Sequence, residues 1–150
     1  MSNFEELGTS GDGEMSLTNG TMTWTMTGNS VDSGTAACVR TIVLVGGKYR
    51  LNVSCKSNGY DETEIYVSGN RIHYRTSSSA YSTTYEVTLA AGDKVNAYYN
   101  RVRNSSNGCY LDITWKFYQN AQAGTWSYNS SANGGYGGYS TGVLNLLTNT

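Results

Sequence analysis

A single histidine, His73, occurs in 150 residues, and that scarcity excludes more kinds of function than any motif in the chain supports. A catalytic triad, a histidine metal cluster or a histidine general base would each have to use it, and neither G-x-S-x-G nor H-E-x-x-H surrounds it. Its place between Ile72 and Tyr74, on the opposite phase, predicts a surface position on a strand. Charge is also scarce: 14% of residues are charged and the net charge is -1, so no basic patch is available to neutralise a run of phosphates, and nucleic acid is not expected as a partner. No apolar run approaches the roughly 18 residues of a membrane span, so membrane insertion is not expected either. The opening "MSNFEELGTSGDGEMS" lacks the basic and then apolar order of a secretory signal, and synthesis in the cytosol is the expectation. Three cysteines, Cys38, Cys55 and Cys109, form an odd set without C-x-x-C spacing, which argues against a disulfide framework and a zinc site. Cys55 and Cys109 fall in phase with apolar neighbours and read as buried free thiols, one bridge being the alternative. The expectation is therefore no catalytic residue, no cofactor and no metal.

What the chain does have is 18 Gly, 13 Tyr and many Ser, Thr and Asn, with no Pro. Thr, Tyr and Val favour strands, Gly and Asn the turns between them, and the fold class is all-β. "TMTWTMT" (residues 21–27) alternates strictly, with Met22, Trp24 and Met26 on one face. "ACVRTIVLV" (37–45) reads as a more buried strand, followed by Gly46-Gly47 as a tight hairpin turn. Tyr49, Leu51, Val53 and Cys55 share a face; Ile65 and Val67 continue the pattern; and a turn at Gly69-Asn70 leads back into Ile72 and Tyr74. Tyr85, Val87 and Leu89, then Val95, Ala97 and Tyr99, then Cys109, Leu111, Ile113, Trp115 and Phe117 complete about eight strands, and none of these segments has a helical period. One-sided strands at this spacing must bury their apolar faces against a second sheet, which predicts a single antiparallel β-sandwich of jelly-roll type over residues 14–118. Residues 1–13 read as a flexible arm. Residues 119–150 read as a Gly/Ser/Asn/Tyr-rich tail ending in the apolar "VLNLLTNT".

Candidate chemistry is thin. Asp61, Glu62 and Glu64 cluster at a turn and read as a solvated loop; as a carboxylate pair they would serve glycoside hydrolysis only if they faced each other across a cleft. Asp61, Glu62 and Asp93 supply hard oxygen ligands of the type calcium takes, without a supporting spacing. "GGYGGY" (134–139) lacks the Lys-Ser/Thr of a phosphate loop. The tyrosines say more. Tyr60, Tyr66, Tyr81, Tyr98, Tyr110 and Tyr118 fall in loops or on the polar phase of strands, where a monomer core does not use them. Tyrosine is a rigid amphipathic contact residue and stacks on sugar rings, so Tyr66, Tyr98 and Tyr110 are the expected partner contacts, at a subunit interface or a glycan platform. Leu144, Leu146 and Leu147 are expected to form an apolar plug that docks on a neighbouring subunit.

The order "GGKYRLNVSC", "IYVSGNRI", "YEVTLAAGDKVNAYY", "LDITW", over roughly residues 38 to 117, resembles the jelly-roll accessory modules of phage tails and capsids. More distantly it is similar to tumour-necrosis-factor-type jelly rolls, which use the same L-x-A-G-D entry to a strand. The resemblance implies a non-enzymatic structural protein that decorates the virion head or tail and attaches through its terminal segments. It also implies other virion proteins as partners, a homo-oligomer, and a place on the virion after synthesis in host cytoplasm. The long tail after Phe117 departs from the tumour-necrosis-factor-like pattern. The alternative is a carbohydrate-binding or host-receptor adhesion module whose partner is a host-surface glycan.

Overall fold

The computed structural model describes residues 2–28, 34–102 and 108–120, and in them the alternating segments are strands, joined by two strands that alternation did not predict. In chain order they are β1 (Phe4–Gly11), β2 (Glu14–Thr18), β3 (Thr21–Thr27), β4 (Gly34–Val43), β5 (Gly47–Lys56), β6 (Glu62–Val67), β7 (Asn70–Arg75), β8 (Tyr81–Leu89), β9 (Lys94–Arg101) and β10 (Tyr110–Asn120). They form two five-stranded sheets, ordered β1-β4-β9-β6-β7 and β2-β3-β10-β5-β8. All pairings are antiparallel: β3 with β10, β4 with β9, β5 with β8, β6 with β7. A long ribbon with its tip at β6–β7 is thus folded over on itself, which is the jelly roll expected from the sequence.

The core lies between the sheets and is filled by the predicted faces. Met22, Trp24 and Met26, Tyr49 to Cys55 at every second residue, Val95, Ala97 and Tyr99, and Leu111, Ile113 and Trp115 are all buried. Trp24 and Trp115 pack at a 4.9 Å ring separation, and Tyr49 packs edge-on against Phe117 at 5.0 Å. Cys38, Cys55 and Cys109 are buried free thiols.

Four expectations are corrected. The arm at residues 1–13 is in large part β1, paired with β4 from Phe4↔Val43 to Gly11↔Ala37. Its anchor is Phe4, 4% exposed, with its ring 4.8 Å from Trp115 and 5.6 Å from Trp24. Gly46-Gly47 is not a hairpin turn, since β4 and β5 belong to different sheets; the chain crosses there so close to Leu89–Ala91 that a Cβ on Gly46 would lie 3.1 Å from the Leu89 carbonyl oxygen. The β6–β7 hairpin turns at Ser68 and Gly69, both with positive φ (49° and 83°), the type I′ geometry that suits the twist of the flanking strands. Within that hairpin a register shift pairs Ile65 with His73 and Tyr66 with Arg71, so Ile72 is the extra residue of a bulge. The inward position is therefore His73, 2% exposed, whereas Tyr74 is 43% exposed. At the other end β10 continues to Asn120, past the expected boundary, and Leu144, Leu146 and Leu147 lie outside the described residues.

If Phe4 holds β1 on the sandwich, Phe4→Ala is expected to lower unfolding stability by roughly 3–5 kcal/mol, as for other large buried aromatics. Leu7→Ala on the same strand, 51% exposed, is expected to leave the urea midpoint nearly unchanged. Equal, small effects in equilibrium denaturation would return residues 1–13 to the status of an arm.

Candidate functional site

The outward phase of the first sheet forms a groove of about 430 Å³. Along β9, burying Val95, Ala97 and Tyr99 turns Asn96, Tyr98 and Asn100 outward. The neighbouring strands supply their partners: Glu64 and Tyr66 on β6 lie opposite Tyr98 and Asn96, and Thr35 on β4 lies opposite Asn100. Gly69 of the β6–β7 turn closes one side.

The floor of this groove is already wired. Asn100 Nδ2 donates to Glu64 Oε1 at 2.7 Å, and the Tyr66 hydroxyl donates to Glu64 Oε2. Thr35 Oγ1 donates to Asn100 Oδ1 at 3.1 Å. Arg71 Nη1 stands 3.7 Å from Glu64 Oε2, with its guanidinium 4.3 Å from the centre of the Tyr74 ring. The Glu64 carboxylate that accepts the Tyr66 hydroxyl holds that phenol above its usual pKa. Above this floor, the Tyr66 and Tyr98 rings meet edge to face, 5.8 Å apart at 77°. The Tyr98 hydroxyl and the Asn96 carboxamide have no hydrogen-bond partner among the described residues.

Two of the three expected contact tyrosines are thus brought together, and the third is not. Tyr110 lies on β10, in the other sheet, paired with Thr27 and Lys56. Sequence reasoning passed over Thr35, Asn96 and Asn100, and read Glu64 as a solvated loop carboxylate rather than as a neighbour of the tyrosines. Their signal was the polar phase of "KVNAYYN" and "ETEIYV", which becomes a site only once β6 and β9 are known to be neighbours.

The expected carboxylate cluster is dispersed. Asp61 is no solvated loop residue: it is fully buried, Oδ2 accepting from the Tyr99 hydroxyl at 2.9 Å and Oδ1 from the Val102 amide at 2.8 Å, with Arg101 Nε 3.8 Å away. Burial, with hydrogen bonds to Cys109 and Asp61, pushes the Tyr99 phenol far up. Glu62 accepts from the Tyr74 hydroxyl at 2.8 Å, and among the described residues Glu64 is the one carboxylate that lines the groove. Asp93 is separated from Asp61 by the length of β9, and among the described residues no three His, Cys, Asp or Glu side chains are grouped to hold a metal. A second recess of about 740 Å³, near the β2–β3 turn, is lined by Asn19, Asn52, Lys116, Trp115 and Phe117; Trp115 is 3% exposed, which leaves Phe117 as its one partly exposed ring among the described residues.

No protein-family model matches the chain, and no curated protein matches it in sequence. Solved structures resemble it in part, at low identity. GITRL from pika, a tumour-necrosis-factor-like protein, is 18% identical over 55% of this chain and 75% of its own, with a TM-score of 0.44. A family 35 carbohydrate binding module from Clostridium thermocellum is 20% identical over 76% of this chain and 97% of its own, with a TM-score of 0.37. A family 29 carbohydrate binding module, a mutant complexed with cellulohexaose, is 15% identical over 77% and 78%, with a TM-score of 0.37. None of these three is a virion protein.

His73 occupies the space between the two edge strands β7 and β8. Its Nδ1 is 2.7 Å from the Tyr85 hydroxyl, and its Nε2 is 3.0 Å from Thr63 Oγ1 and 3.9 Å from Cys55 Sγ. Because Thr63 Oγ1 donates to the Arg75 carbonyl oxygen at 3.3 Å, it accepts from Nε2–H, and Nδ1 accepts from Tyr85: a neutral imidazole with both nitrogens satisfied. Burial, and then the nearby Arg75 charge, bring its pKa down to about 4. The unfolded chain protonates this group near 6.5, so between the two values the unfolded state binds more protons, and stability is lost as pH falls through that window. The loss attributable to His73 is expected to reach roughly 3 kcal/mol by pH 4. Urea midpoints of wild type and His73→Gln across pH 4 to 7 check this: the variant should show a shallower decline, and parallel curves would contradict it.

Proposed function

We propose that this chain is a non-catalytic binding module that holds carbohydrate in the groove formed by β4, β9 and β6. The observation that carries the reading is the Tyr66–Tyr98 ring pair standing over hydrogen-bonded Glu64 and Asn100, beside the unpartnered Asn96 and Tyr98 polar groups. A pyranose ring presents C–H faces to aromatic rings and hydroxyls to carboxamides and carboxylates, and a few convergent polar groups beside aromatic surface are what a small-ligand site needs. The two rings stand 77° apart and cannot both lie on one flat surface, so the groove suits a single chain wrapped by both rather than a crystalline face. Among the described residues one carboxylate lines the groove, and these supply no pair for acid and base roles in glycoside hydrolysis.

The virion setting is a further proposal that rests on the strand-and-turn resemblance. A module carried in many linked copies would gain avidity from effective concentration, so modest affinity per groove would suffice for adhesion to a glycan-coated surface. The proposed attachment plug, Leu144, Leu146 and Leu147, lies outside the described residues, and Tyr110 on the opposite sheet is left as a candidate contact for a neighbouring protein.

A glycan array followed by calorimetric titration of its hits tests the binding reading. Saturable binding is expected, weakened about tenfold or more in Tyr98→Ala, equivalent to about 1.4 kcal/mol. Silence across the array, or binding that ignores the loss of Tyr98, would remove it.

A further inference from the structure

The groove's hydrogen-bonding inventory is lopsided. At its floor, Glu64 is an acceptor with no donor of its own; its two oxygens receive Asn100 Nδ2 and the Tyr66 hydroxyl, which leaves lone-pair capacity for further donors. Thr35 is committed as a donor to Asn100. The groups left to a ligand, the Asn96 carboxamide and the Tyr98 hydroxyl, are neutral.

Among the described residues that line the groove none carries a positive charge; Arg71, Arg40 and Lys94, the last on the same phase of β9 as Asn96, stand outside that lining. Arg71, opposite Tyr66 on β7, sits against Glu64 and over the Tyr74 ring. Arg40 is the register partner of Asn96 on β4, but its guanidinium crosses to the far side: Nη2 lies 3.1 Å from where a Cβ on Gly8 of β1 would stand. Glu62, opposite Asn100, adds a second negative charge at the border, held by Tyr74. An incoming carboxylate or sulfate seated in the groove would meet the Glu64 carboxylate with no cation among the described lining residues, and would bring no proton for Glu64 to accept. A neutral sugar hydroxyl brings that proton.

We propose that the groove selects neutral oligosaccharide chains and rejects acidic ones, with Glu64 as the residue that sets this preference. The proposal rests on the carbohydrate-binding reading above and narrows it to one class of glycan. Glu64 thereby has two tasks: it orients Tyr66 and Asn100 from below, and it accepts ligand hydroxyls from above. Neutralising it would remove the repulsion and release Arg71, so the same change that weakens neutral binding should admit acidic chains.

The experiment uses the full chain and matched probes: neutral gluco-, xylo-, manno- and galacto-oligosaccharides, together with oligogalacturonate and oligoglucuronate, titrated by calorimetry at near-neutral pH and low salt. Wild type is expected to bind at least one neutral series at least tenfold more tightly than the acidic ones, and Glu64→Gln, confirmed folded by its thermal melt, to narrow that ratio about tenfold or more. Asn96→Ala, at a position with no side-chain partner to lose, is expected to weaken neutral binding several-fold without admitting acidic chains. Wild type binding an acidic series as tightly as any neutral one would overturn the selectivity while leaving the carbohydrate reading standing. An unchanged ratio in folded Glu64→Gln would overturn the role given to Glu64. Binding of neither class would overturn both the selectivity and the carbohydrate reading beneath it.

Discussion

The two-residue period of a strand is the constraint on which the rest of the molecule depends. In each sheet every second side chain must leave water for the space between the layers, and its neighbours must then face outward. On β9 the same eight residues place Val95, Ala97 and Tyr99 in the core and Asn96, Tyr98 and Asn100 in the groove. Core and candidate site are two sides of one choice of register. A slip of one residue between β6 and β9 would exchange them, burying Asn96 and Tyr98 and exposing Val95.

That register is braced from inside by a polar contact. Asp61, just before β6, takes the Tyr99 hydroxyl of β9, and Tyr99 lies between the two outward residues Tyr98 and Asn100. Arg101 accompanies Asp61 in the interior, and its guanidinium also donates to the Gly28 carbonyl oxygen, so the ends of β3, β6 and β9 meet at one buried charged cluster. Such an ion pair contributes little net stability but is costly to break, and it rewards one arrangement of its strands over others. Gly28 allows the approach: a Cβ there would stand 2.4 Å from Cε1 of the Tyr99 ring.

The period explains what could be read in advance. The class, the sandwich, most of the strands and nearly every core position from Met22 to Trp115 follow from alternation between turn residues. Three kinds of feature did not follow. β1 and β2 carry few apolar side chains, and one anchor, Phe4, holds β1 against the core by contacts with Trp24, Tyr49 and Trp115 that are distant in sequence. The bulge at Ile72 reverses the phase of β7, which sends His73 inward against local hydrophobicity. Asp61 looks like a loop carboxylate until the fold brings Arg101 and Tyr99 to it. The groove was half legible. Tyr66 and Tyr98 stood out by being on the polar phase, but their adjacency to one another, and to Glu64, Asn96 and Asn100, exists only through the β6–β9 pairing.

The most direct test of the account is a two-dimensional amide NMR titration of the labelled chain with a neutral oligosaccharide in large excess. Ligand-induced shifts confined to Thr35, residues 64–69 and residues 96–100 are the predicted result, with the amides of β3, β5, β8 and β10 unmoved. Shifts centred on the second sheet or on the recess near the β2–β3 turn, or no shifts at all, would contradict it.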